Sequence, residues 1–194
     1  MNDNLLPFYG ELYWYPRFFP ATEAELLFSA LLEQIDWQQE RLFIYGRWVN
    51  VPRLMAWYGD SGAHYRYSGV EHEPLPWSPL LLSLKQQMEA QCQHPFNSMM
   101  ANLYRHGQDS MGCHADSEKE LGQNPVIASL SFGESRLLRF HHGLSGEKRE
   151  IELKNGDLLV MAGAIQHHWK HELPKTRRVK KARINLTFRN TLRR

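Results

Sequence analysis

From Asn97 onward the chain is cut into short β-rich pieces: SMMANLYR, VIASLSFG, RLLRFHH, REIEL, DLLVMAG, HHWKHEL and ARINLTFR, each set off by turn residues. Runs of this length and composition read as strands. Strands must pair, and a long series of short ones closes into a sandwich or barrel. The NGD at Asn155–Asp157 predicts a hairpin turn within the series. LFIYGRWVNVPR, Leu42 to Arg53, reads as a further hairpin, with Gly46 near the turn and Tyr45 near the tip.

Two helices precede the strand series. TEAELLFSALLEQI opens with Thr22 and Glu25, a capping-box pattern, and places Leu27, Leu31 and Ile35 at roughly helical spacing. SPLLLSLKQQMEAQC has Ser78 as N-cap and Pro79 at the first helical position, with Leu81, Leu84, Met88 and Cys92 on one face. The expectation is a mainly β fold with helices packed outside it.

At 194 residues, without repeats or a low-complexity linker, the chain reads as one domain, 1–194. No apolar run approaches the length of a membrane span, and MNDNLLPFYGEL lacks the features of a signal peptide. With two cysteines, Cys92 and Cys113, there is no disulfide framework, so a reducing, cytoplasmic setting is expected. The net charge of +2 is uneven. Lys170 to Arg194 carries ten Lys/Arg against Glu172 alone, +9, which leaves −7 on the rest. A basic end on an acidic body suits an anionic partner, nucleic acid first, although a solvated tail would look the same.

In ARINLTFR, Arg183, Asn185, Thr187 and Arg189 alternate with Ile184, Leu186 and Phe188. One face is apolar and must pack. The other is polar and ends in two arginines, which suits a polar lumen gripping a short dicarboxylic acid from both ends. In GCHADSEKEL, His114 and Asp116 share a parity and project together from a strand, while Cys113 and Ala115 face away. One more histidine would complete the two-His, one-carboxylate set of non-haem Fe(II) oxygenases. Parity within HHWKHEL leaves both His167 and His171 open for that position.

These residues resemble the AlkB family of Fe(II)/2-oxoglutarate-dependent nucleic-acid dioxygenases. NLYRHGQDSMGCHADSEKEL, IASLSFGESR, GDLLVMAG, HWKHELP and RINLTFR resemble family segments in the family's order. VPRLMAWYGDSG and YRYSGVEHEPLPW resemble its nucleotide-recognition region. The resemblance runs from about Leu42 to Arg189 and is nearest the members that repair duplex DNA. It implies a double-stranded β-helix (jelly-roll) core at 97–190 and nucleotide-recognition hairpins at 40–75. It implies His114, Asp116 and His171 as the catalytic iron ligands. Asn102, Tyr104, Arg183 and Arg189 would bind 2-oxoglutarate, Arg183 at the distal carboxylate and Arg189 near the one that chelates iron. O2 completes the cofactor set.

The implied reaction is oxidative demethylation of 1-methyladenine and 3-methylcytosine in DNA, with release of formaldehyde. A base in a duplex must leave the stack to reach such a site. Tyr65 and Tyr67 match the family's stacking aromatics, and Glu118 matches a carboxylate that would favour a cationic base. Tyr45 matches a finger that fills the gap left by a flipped base. Arg47, Arg53 and the basic loop Lys175–Arg183 would meet phosphates. Ser117 departs from the acidic residue of some relatives, which leaves fine substrate preference open. The alternatives are an RNA or tRNA demethylase, a non-catalytic module that binds modified nucleic acid, and a protein or small-molecule hydroxylase. A monomer is expected.

Overall fold

The alternation in RINLTFR sets the layering of the molecule. The computed structural model describes residues 3–44, 46–63, 65–67, 70–178 and 180–192, with backbone alone for 44, 65–67 and 70–72. Its first elements are β1 (Glu11–Tyr15), α1 (Ala21–Gln34), β2 (Arg41–Ile44), β3 (Arg47–Asn50), β4 (Leu54–Gly59), β5 (Tyr65–Tyr67), β6 (Val70–His72) and α2 (Pro79–Cys92). There follow β7 (Ser98–Tyr104), β8 (Met111–His114), β9 (Ile127–Gly133), β10 (Arg136–His142), β11 (Lys148–Leu153), β12 (Asp157–Ala162), α3 (Ile165–His168), β13 (Trp169–Leu173) and β14 (Arg183–Arg189).

A six-stranded sheet runs β1-β12-β9-β14-β7-β4, and a four-stranded sheet runs β11-β10-β13-β8. Every ladder within them is antiparallel. This is the jelly roll. On the outer face of the large sheet, Ile184, Leu186 and Phe188 join Met99, Ala101, Leu103, Ala128, Leu130 and Phe132 in one core with Leu31 of α1 and Leu81, Leu84 and Met88 of α2. Burying a side chain of that size contributes about 1.5–3 kcal/mol, which is what holds the helices on. Between the sheets, Leu12, Ile127, Leu159, Met161, Phe140, Ile151, Leu153 and Trp169 form a second core. That core closes one side of the sandwich. The other side, between β14, β7 and β4 and the facing β13 and β8, is mixed: Val51, Met55, Trp57 and Met100 form a third, small apolar cluster beside the inward polar residues of β14 and β7.

The second helix follows its sequence signals: Ser78 Oγ accepts from Leu81 N at 3.3 Å, and Pro79 sits in the first turn. Three expectations are corrected. The first helix starts after Pro20 at Ala21, one residue before Thr22, and has no side-chain cap. Asn155–Asp157 does turn the chain, with Gly156 at φ +83°, but it makes no hairpin. It passes the chain from β11 in the small sheet to β12 in the large one, because each strand already has other partners. HHWKHEL is not one strand: Ile165–His168 is a helical turn that hands over to β13 at Trp169.

Segment 40–75 holds two hairpins, β2–β3 and β5–β6, and between them β4, which runs in the large sheet beside β7. Strands β1 and β4 thus join the large sheet from outside 97–190. Among the described residues no helix is long and apolar enough to cross a membrane.

Candidate active site

The inward faces of both sheets meet around a cavity of about 360 Å³ whose wall mixes polar residues with Met55, Met100, Leu138 and Leu173. Strand β14 registers Arg183 against Tyr104, Asn185 against Asn102 and Thr187 against Met100 on β7. On its other side Asn185 pairs with Ser131 and Thr187 with Ser129 of β9. All of these side chains have the inward parity, and Asn102, Tyr104, Arg183, Asn185, Thr187 and Arg189 line the cavity.

Opposite them, β13 and β8 pair His171 with His114. Asp116 lies two residues beyond the end of β8, so its direction is not fixed by the ladder. It is fixed by its partners: its backbone N donates to Gln166 Oε1 at 2.9 Å, and Arg189 Nη2 donates to its Oδ1 at 2.9 Å. The ligand atoms of His114, Asp116 and His171 all lie within 4.8 Å of one another. The two imidazole centroids are 4.3 Å apart.

The electrostatics suit a cation. Burial pushes His171 down to about 4, with Asp116 opposing and His114 and Arg189 adding to the depression. Its ring is therefore neutral at ordinary pH, the form that coordinates a metal. Burial pushes the Asp116 carboxyl up, but Arg189, His171 and His114 outweigh it and hold the group below its usual range. Gly112 O lies 2.8 Å from His114 Nδ1. A carbonyl only accepts, so Nδ1 carries the hydrogen and Nε2 is free to ligate; it stands 3.7 Å from Asp116 Oδ1. Asp116 Oδ2 is buried with no hydrogen-bond partner among the described residues. A buried carboxylate oxygen without a partner costs about 1–3 kcal/mol or more, and a bound cation removes that cost. Two imidazoles and a carboxylate suit Fe(II), so the donor set fits.

At the far end of β14, Arg183 is 3% exposed. Its Nη2 donates to Ser131 Oγ at 2.9 Å, and its guanidinium lies over the Tyr104 ring at 5.4 Å. Burial lowers it to about 10, with Arg136 adding to the depression and Tyr104 opposing it. It stays a cation at neutral pH. Its Nε is buried with no partner among the described residues, a donor suited to an anionic ligand such as a carboxylate.

The three expected metal ligands come together, and so do Asn102, Tyr104, Arg183 and Arg189. Glu118 also lines the cavity. His167 is excluded: it is exposed on the α3 turn and contacts Asn124 Oδ1 at 3.1 Å. Arg53 is corrected from a phosphate contact to an interior residue. It is 2% exposed, its Nε donates to Asn102 Oδ1 at 2.7 Å, and it lines the cavity, so it belongs to the interior of the site and not to an outer phosphate-binding surface. In the basic loop, Arg183 is inside and Lys180 pairs with Glu134 at 3.0 Å; Lys175, Arg177, Arg178 and Lys181 remain exposed. Tyr45 and the side chains of Tyr65 and Tyr67 lie outside the described residues.

Sequence reasoning missed Gln166, which braces Asp116, and Ser129 and Ser131, which hold Asn185 and Arg183. The inward parity of the two serines in VIASLSFG was the available signal. Gln166 gave none, because its contact depends on the α3 turn. Also missed were Phe43 and Trp48 on the β2–β3 hairpin, each 62% exposed, with rings 5.4 Å apart.

A jelly roll holding two histidines, an aspartate and two buried arginines defines a class, and residues 11–189 match the family model of the 2OG-Fe(II) oxygenase superfamily. The chain is 40% identical over 184 residues to alpha-ketoglutarate-dependent dioxygenase alkB homolog 3 of Bos taurus, covering 90% of this chain and 64% of the relative. It is 35% identical over 189 residues to DNA oxidative demethylase ALKBH2 of Mus musculus, covering 92% and 79% respectively. The fold is also that of a Pseudomonas putida prolyl-4-hydroxylase structure, at TM-score 0.61 and 15% identity, over 92% of each chain. The chain belongs to the 2OG-Fe(II) oxygenase superfamily, in its AlkB family. That membership brings Fe(II), 2-oxoglutarate and O2 as cofactors. The chain spans 64% of the length of the alkB homolog 3 relative.

Proposed function

We propose that this protein oxidatively demethylates N-alkylated bases such as 1-methyladenine and 3-methylcytosine in DNA. The observation that carries the reading is the pairing of a metal-competent His114–Asp116–His171 cluster with a buried Arg183 across one cavity. Relatives whose names describe DNA oxidative demethylases support the choice of substrate.

His114, Asp116 and His171 would hold Fe(II), which with 2-oxoglutarate and O2 would supply the oxidising power to convert an N-methyl group to N-hydroxymethyl. Cleavage of that N–C bond, with the hydroxyl proton lost, would release formaldehyde and leave the unmodified base. The chain's own part is placement. Arg183, steadied by Ser131 Oγ, takes the distal carboxylate of 2-oxoglutarate. Arg53 occupies Asn102 Oδ1, which leaves the Asn102 amide NH2 as the group to meet the cosubstrate. Arg189 braces Asp116. Glu118 at the cavity wall favours a cationic base.

The exposed hairpin supports a nucleic-acid substrate. Phe43 and Trp48 present flat apolar surface, and Arg41 lies over the Trp48 ring at 5.7 Å. Exposed rings beside arginines suit unstacked bases and phosphates. Tyr65 and Tyr67 are proposed to stack on the flipped base, and Tyr45 to fill its place. The test is incubation with Fe(II), 2-oxoglutarate and a duplex containing 1-methyladenine, with formaldehyde and restored adenine measured. Equimolar formaldehyde and adenine are expected. Tight binding without turnover would mean a recognition module, and turnover on RNA alone would move the substrate.

A further inference from the structure

A second group of metal-ligating side chains stands on the opposite face of the small sheet. Strand order β10-β13-β8 sets Arg139 and His141, then Glu172, then Cys113 side by side on the solvent face, while Phe140, His171 and His114 point inward. The ligand atoms of Cys113, His141 and Glu172 all lie within 4.8 Å of one another. His141 Nε2 and Glu172 Oε1 are already 3.2 Å apart. Cys113 is an exposed free thiol.

We propose that Cys113, His141 and Glu172 form a second, surface metal site that takes a borderline-soft divalent cation, zinc above all. The chemistry sets it apart from the interior site. A thiolate with an imidazole and a carboxylate favours zinc and disfavours magnesium, calcium or manganese, which prefer oxygen. Ligands tetrahedrally placed about 2.0–2.3 Å from zinc are roughly 3.3–3.8 Å from each other. The present spacing therefore closes with small side-chain rotations. The exposure of Cys113 leaves water for the fourth position. Arg139 Nη1 donates to Glu172 Oε1 at 3.1 Å and fixes the carboxylate as an outer partner would, while its own charge is shared with Glu150 at 2.6 Å.

The two sites stand back to back. Cys113 precedes His114 and Glu172 follows His171, so an outer ion ties β8 to β13 beside both inner histidines. The ladder there is short and shifts register between His171 and Leu173. A cross-link at this irregular seam stiffens the strands that carry the inner ligands.

The test is titration of metal-free protein with Co(II), followed by near-ultraviolet absorption. A thiolate ligand gives a sulfur-to-cobalt charge-transfer band that the His–Asp–His set cannot give. The expected result is two equivalents bound, one of them with the band, and displacement of the banded ion by zinc. Cys113→Ser should remove the band and weaken that equivalent by more than about 100-fold. It should leave the other equivalent, which shows that the variant is folded. The band should survive in Cys92→Ser and in the His114→Ala/His171→Ala pair. No band in the wild-type chain, a band that persists in Cys113→Ser, or a band lost with His114 and His171 would each overturn the proposal.

Discussion

Arg189 donates from Nη2 to Asp116 Oδ1 at 2.9 Å, with both side chains buried, at 8% and 3% exposure. Asp116 lies past the end of β8 and is therefore aimed from the C-terminal end of β14, on the other sheet. The ion pair joins the two sheets at the metal cluster. Its second consequence is electrostatic: Arg189 keeps the carboxylate ionised inside the protein before any metal arrives.

Removing that partner strands a buried charge. Arg189→Met should cost about 3–5 kcal/mol in metal-free protein. The loss should be smaller with Mn(II) bound, because the ion then balances Asp116. Urea unfolding of both proteins with and without Mn(II) measures it. An equal loss in both states would mean that the ion does not bind Asp116.

At the opposite end of β14, Arg183→Ala should weaken 2-oxoglutarate by at least about 2 kcal/mol, roughly 30-fold. Mn(II) affinity should hardly change, since Arg183 bonds Ser131 and not the metal cluster. Separate titrations of the two ligands check this. Arg183→Lys should recover only part of the loss, because an ammonium cannot reproduce the planar fork.

The hairpin prediction concerns DNA. Phe43→Ala and Trp48→Ala should each weaken duplex binding by about 1–3 kcal/mol, with 2-oxoglutarate affinity unchanged. Arg47→Ala should instead lower the salt dependence of binding by about one counterion. Fluorescence anisotropy at several salt concentrations separates the two effects.

A pH prediction follows from Asp109. It accepts from Arg105 N, Nε and Nη2, at 2.9, 2.7 and 3.0 Å. Burial pushes its carboxyl up, but these bonds and the Arg105 charge outweigh burial and hold it below its ordinary value of 3.8. A depressed folded pKa adds stability that is fully present above the unfolded value and is lost as pH falls through the folded one. Wild-type stability should therefore fall below about pH 4, and Asp109→Asn should be less stable at neutral pH and show a weaker acid dependence. Melting temperatures from pH 7 to 3 test the sign.

Much of this site was legible because a strand has period two. The parity of RINLTFR separates Ile184, Leu186 and Phe188, which pack under the helices, from the four polar residues that line the cavity. Past the end of β8 the ladder no longer supplies the reason, although Asp116 does join His114 as its parity suggested. Asp116 reaches the cavity through Gln166 and Arg189, and His167 leaves the site because α3 interrupts the strand. Arg53 was misplaced because an arginine beside a hairpin looks like a surface cation. Its burial comes from Asn102 and Ser110, which a local reading cannot bring together. The hairpin at Asn155–Asp157 failed similarly: a turn residue fixes a bend, and the sheet to which the next strand goes depends on partners remote in sequence.

The central claim is that His114, Asp116 and His171 grip one ion while Arg183 anchors the cosubstrate. Anomalous diffraction from crystals grown with Mn(II) and 2-oxoglutarate tests it directly. The predicted result is one strong peak bounded by those three side chains, with a 2-oxoglutarate carboxylate against Arg183. A cavity without a peak, or a peak that lacks any of the three as a ligand, would contradict it.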